Sequence, residues 1–128
     1  MSVDARRWLA FADADLRAAR VLLRDSDVPD RIACFLAQQA AEKALKSVLV
    51  EQSVPFRKTH DLVVLSGLVP APLATDLETV DLLLLQPWAI DGRYPGDLPD
   101  ASAAEAVAVV EAASEIIVAV ERWLARDE

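Results

Sequence analysis

Cysteine occurs once in the 128 residues, at position 34, so no internal disulfide framework is available. Histidine also occurs once, and one His with one Cys makes a poor donor set for structural zinc. Three glycines and 5% aromatic residues argue against a β-sandwich or barrel, whose many tight turns use glycine. Hydrophobic runs are short. Ile116 to Val120 is far below the length needed to cross a bilayer. Met1 to Leu23 is interrupted by Asp4, Arg6, Arg7, Asp13, Asp15, Arg17 and Arg20, so neither a signal peptide nor a membrane span is expected there. The expectation is a cytoplasmic protein without membrane attachment. No P-loop, G-x-G-x-x-G, nucleophile elbow or Glu-x-x-His occurs, so no cofactor and no metal are expected.

What remains is an alanine-, leucine- and valine-rich chain, 54% apolar and 27% charged, sized for a single domain over residues 1–128. This composition favours packed helices. The net charge of −8 opposes non-specific nucleic-acid binding by the whole surface. The charge is uneven. Residues 31–60 hold Arg31, Lys43, Lys46, Arg57 and Lys58 against Glu42 and Glu51, a net of +3 that leaves −11 on the rest. Anionic ligands should be drawn to that segment.

Apolar spacing predicts a helix from Asp4 to Arg24, with Trp8, Phe11, Ala12, Leu16, Ala19, Leu22 and Leu23 on its inner stripe. A second helix runs from a cap at Asp30 to about Gln52, and Pro55 ends it. A short turn of helix covers Asp61 to Leu65, capped by Thr59 or Asp61 and closed by Gly67. A further helix is predicted over Leu73–Gln86, stopped by Pro87. Residues 87–100 form a long Pro- and Gly-containing loop, of the kind that often carries function. Ser102 and Glu105 have capping-box spacing for a last helix ending near Arg126. The expected architecture is all-α: an antiparallel up-down bundle of four main helices plus a short one.

Two helical faces break the apolar pattern. Asp15 falls inside the apolar stripe of the first helix, so it needs a cationic partner, and Lys43 or Lys46 is the natural one. The second helix has a flank of small residues, Ala33, Ala37, Ala40, Ala44 and Ser47, and an ordinary core flank that includes Cys34. Between them runs a polar stripe of Gln38, Gln39, Glu42, Lys43 and Lys46, facing a cleft, a partner or an interhelical network. His60, next to Arg57 and Lys58, either titrates in a function or holds its turn by hydrogen bonding. Arg93, beside Tyr94, can grip a phosphate or tie the long loop down.

The string from Cys34 to Lys46 (Cys-Phe-Leu-Ala-Gln-Gln-Ala-Ala-Glu-Lys-Ala-Leu-Lys), then Lys58-Thr59-His60-Asp61-Leu62, then Arg93-Tyr94-Pro95, resembles the HEPN (higher eukaryotes and prokaryotes nucleotide-binding) domain family. Ala14-Asp15-Leu16 fits as well, and the resemblance spans roughly residues 4–126. It implies a helical bundle that is commonly dimeric. It implies a nucleotide ligand, and in many members a minimal nucleotidyltransferase partner in a toxin–antitoxin-like pair. On that basis the nucleotide or phosphate would be held by Lys43, Lys46, Lys58 and Arg93, with Gln39 and His60 donating hydrogen bonds. Asp15 would orient a lysine, and Glu42 and Tyr94 complete the candidate set. Two departures matter. Leu36 stands where relatives often carry His, and the ribonuclease branch's Arg, four to six residues, then His is missing, because Arg57 lies too close to His60. A non-catalytic role is therefore expected. The alternatives are a metal-independent ribonuclease using His60, and a structural dimer built on the alanine flank or on exposed Trp88 and Trp123.

Overall fold

The computed structural model describes residues 1–89 and 94–126, and among these there is no strand. Three long helices dominate: α1 (Val3–Leu22), α2 (Asp30–Glu51) and α6 (Ala103–Ala125). Between α2 and α6 lie the short helices α3 (Leu62–Ser66), α4 (Ala71–Leu77) and α5 (Leu82–Leu85), with single 3-10 turns at Gln86–Trp88 and Pro95–Asp97. The all-α helical fold expected from the sequence is observed. No helix among the described residues is long and apolar enough to cross a membrane.

The helix ends follow local chemistry. The Ser2 side chain accepts from the Ala5 amide at the start of α1. Ser102 and Glu105 form the reciprocal capping box at the start of α6. At the end of α2, Ser53 adopts a left-handed φ of 53° and the Val54 amide donates back to the Leu49 carbonyl at 2.9 Å, a Schellman-type stop. Asp30 lies inside the first turn of α2, with Pro29 at the cap position, so it does not cap with its side chain as expected.

Helix α2 is the centre of the molecule. Thirteen of its 22 residues are buried, which places it between neighbours on most sides, chiefly α1 and α6. Its small flank is wholly enclosed, with Ala33, Ala37, Ala40, Ala44 and Ser47 at 1% exposure or less. Side chains that short let neighbouring backbones come close. The α1–α2 pair is antiparallel: the Ser2 amide donates to Glu51 at 2.6 Å at one end, and Lys43 meets Asp15 farther along.

Three expectations are corrected. The helix predicted over Leu73–Gln86 is two pieces. It starts earlier, with Pro72 in its first turn, stops at Leu77, and restarts where Asp81 caps α5 by accepting from the Leu83 amide. The fourth main helix of the expected bundle is therefore broken, and the bundle has three long rods. Phe11, placed on the inner stripe of α1, is 63% exposed. Trp88 and Trp123, expected on the surface, are buried in the core, as is the alanine flank, so neither is available to build a dimer interface.

Cys34 is fully enclosed, and burial, reinforced by Asp30 and Glu105, pushes its thiol up to about 11. The folded protein should therefore resist thiol-specific alkylation at pH 8 and react at full extent only in denaturant. Rapid labelling of native protein would contradict the enclosure. The sign of the linkage follows: the unfolded thiol ionises near 9 while the folded one stays protonated until about 11, so this group lowers stability as pH rises through that window.

Candidate functional site

Helix α2 carries Gln38, Glu42 and Lys46 at intervals of four, so the three side chains climb one side of the rod. All three are buried, at 0%, 3% and 6% exposure. Glu42 is the pivot. Its Oε2 accepts from Lys46 Nζ at 2.9 Å, and its Oε1 lies 2.8 Å from His60 Nδ1 and 3.4 Å from Gln38 Nε2. A carboxylate ionised beside Lys46 only accepts, so His60 Nδ1 carries its proton and donates. Gln38 Nε2 also donates to the His60 carbonyl at 3.1 Å, and Gln39 Nε2 donates to Gln38 Oε1 at 2.8 Å. The network is closed, as a buried charge requires: among the described residues no buried side-chain polar atom lacks a partner.

Lys46 is also held by rings. Its ammonium lies 5.7 Å from the Trp8 centroid and 5.9 Å from the Phe56 centroid, both within cation–π range. Lys43, one residue past Glu42, points to α1 and pairs with Asp15 at 2.6 Å, with both side chains about one quarter exposed. The sequence left Lys43 and Lys46 as alternatives for Asp15. The structure selects Lys43, because Lys46 is engaged by Glu42.

The turn that presents His60 is stapled from below. Asp61 Oδ1 accepts from the Val63 and Val64 amides and from Gln86 Nε2, while Gln86 Oε1 accepts from the Leu62 amide at 2.8 Å. The His60 side chain is 43% exposed, and Arg57 and Lys58 just before it are exposed and carry no ion pair among the described residues. The site thus has a neutralised interior and a cationic rim.

Of the residues singled out from sequence, Gln39, Glu42, Lys46 and His60 come together in one network, and beside it Lys43 of the same helix pairs with Asp15 of α1. Lys58 stands at the rim. Tyr94 is 80% exposed, at the head of the 3-10 turn Pro95–Asp97, and among the described residues it makes no hydrogen bond to the network. Arg93 lies outside the described residues. The sequence reading missed Trp8 and Phe56 as neighbours of Lys46, and Gln86 as the staple. A lone amide at the end of the Leu82–Leu85 run was the only hint of the last.

A small helical protein whose central rod shares one buried carboxylate between a lysine and a histidine is the class that fold and site define together. The chain belongs to the HEPN domain family, whose signature matches residues 5–123. It is similar to TT1696 from Thermus thermophilus, with 30% identity and a TM-score of 0.71 over 94% of this chain and 98% of that one. It is also similar to ST0689, an archaeal HEPN homologue, with 27% identity and a TM-score of 0.65 over 96% and 98% of the two chains. A stretch of 54 residues is 37% identical to a protein of Methanocaldococcus jannaschii named "Putative toxin MJ1304". That stretch is 42% of this chain and 34% of the relative, so about one third of the relative's length is matched.

Proposed function

We propose that this chain is a non-catalytic, nucleotide-binding subunit of a toxin–antitoxin-like pair in the cytoplasm, working as a homodimer beside a minimal nucleotidyltransferase. The single observation that carries the reading is the cationic rim over a neutralised interior. Lys46 and Lys43 have carboxylate partners inside, whereas Arg57 and Lys58 have none among the described residues. An incoming phosphate meets these two cations and the imidazole that Glu42 orients. Asp15 and Glu42 hold the ammonium groups of Lys43 and Lys46, and Gln39, Arg93 and Tyr94 are the remaining candidates named from the sequence. The toxin name of the Methanocaldococcus relative supports the two-component setting.

Calorimetric titration with ATP tests the reading. Saturable binding that weakens with salt is expected, and Lys58→Ala should weaken it about tenfold, the worth of one charge-assisted contact. No heat with the wild-type protein overturns it.

A second reading rests on the 2.8 Å contact of Glu42 with His60. A histidine oriented at Nδ1 by a buried carboxylate is a recurrent feature of acid–base catalysis, which fits a metal-independent ribonuclease using His60 with Arg57 or Arg93 stabilising the phosphorane. RNA cleavage that disappears in His60→Ala would favour it over the binding reading.

A further inference from the structure

Besides the rim at His60, one cleft of about 300 Å³ opens on α1 and is lined by Asp4, Arg7, Trp8, Phe11 and Val50. A larger one, about 450 Å³ between α4 and α6, contains no aromatic residue and mixes Asp76 and Glu115 with Arg122, so it offers an anionic or planar ligand little. The α1 cleft differs in kind. Phe11 is 63% exposed in a chain that buries most of its large apolar side chains, and Trp8, one turn away on the same face, is only partly covered. Trp8 belongs to two places at once: it lines this cleft and it lies against the Lys46 ammonium. Val50, which also lines the cleft, is on the same helix as Lys46 and Glu42. The separation from Val50 to Glu42 is about 12 Å along the axis, which a nucleoside with its phosphate chain spans.

We infer that the Trp8–Phe11 cleft receives the nucleobase of the ligand whose phosphates meet the Lys58–His60 rim. The inference rests on the binding function proposed above and adds a subsite to it. Two ring faces at i and i+3 offer stacking to any base, while Arg7 donates and Asp4 accepts hydrogen bonds at the base edge. The hydrogen-bonding groups at the cleft and the cationic rim suit a planar group that carries negative charge at its far end. A plain apolar partner surface needs neither.

Tryptophan fluorescence reads the cleft directly, because Trp88 and Trp123 are enclosed at 4% and 7% exposure and Trp8 is the open one. Adenosine, tripolyphosphate and ATP are titrated separately into wild type and into Phe11→Ala, a surface change that leaves the core untouched. The expected result is quenching by adenosine and by ATP, with ATP bound more tightly than tripolyphosphate. In Phe11→Ala, adenosine and ATP affinity should fall about five- to tenfold, the scale of one lost stacking contact, with tripolyphosphate unchanged. Equal affinity for ATP and tripolyphosphate in wild type overturns the base subsite while leaving phosphate binding intact. So does an unchanged ATP affinity in Phe11→Ala. Quenching by adenosine with no tripolyphosphate binding upholds the subsite and rejects the phosphate rim. Failure of all three to bind rejects both.

Discussion

Glu42→Gln is expected to destabilise the fold by about 3–5 kcal/mol, the usual cost of removing one partner from a buried ion pair. Lys46 is 6% exposed and lies against the Trp8 and Phe56 rings, so little water reaches its ammonium to offset the lost charge. The same change leaves one oxygen where the carboxylate had two, so Lys46 and His60 Nδ1 can no longer each keep an acceptor of their own, and the His60 turn should loosen as well. Urea unfolding measures the effect as a fall in midpoint. The informative companion is Glu42→Gln with Lys46→Met, which takes away both charges and keeps the volume. It should recover most of the loss, because a matched apolar replacement of a buried pair is often neutral. A single variant costing under about 1 kcal/mol would show that the pair is solvated, on the scale of surface pairs.

Trp88→Ala should cost about as much, roughly 3–5 kcal/mol, by a different route. Trp88 closes the core from the 3-10 turn after α5, and its removal leaves a cavity that the surrounding helices cannot fill without moving. Against a total stability of about 5–15 kcal/mol for an ordinary domain, that leaves a marginal fold. The measurement discriminates, since an interface tryptophan would change the oligomeric state at constant thermal midpoint. Here the midpoint should drop sharply at unchanged association.

The positions of α1, α2 and α6 were legible in the sequence from apolar spacing for α1, a proline beyond the end of α2 and the Ser102–Glu105 box at the start of α6, although the Ser2 cap went unread and Asp30 does not cap α2. The break between α4 and α5 was not, because Val80, Leu82 and Leu85 keep the apolar pattern running through it. Asp81 there could be read as an ordinary helical residue until its cap was seen. Phe11 illustrates the limit of periodicity, which gives an angle around the helix and not how far a neighbour covers it. In the site, the misplaced charge at Asp15 announced a partner, and the partner came from one of the two lysines named. The bond between Glu42 and His60 spans 18 positions and leaves no local trace; it follows only once the turn after α2 folds back. Trp8 was read only as part of the inner stripe and Phe56 was not singled out, since nothing in a linear pattern shows an ammonium resting against a ring.

The methyl-sized flank of α2 has a consequence for chemistry several ångströms away. With Ala37, Ala40 and Ala44 sealed at zero exposure, α2 meets its neighbours there through single carbon atoms, and Asp15 of α1 reaches Lys43 on that same rod. Widening any of these positions by a valine would act like a shim driven between two beams. The carboxylate and ammonium would part, and a lysine now tethered would swing loose toward whatever anion lay nearest. Silent-looking alanines thus set the charge the pocket presents.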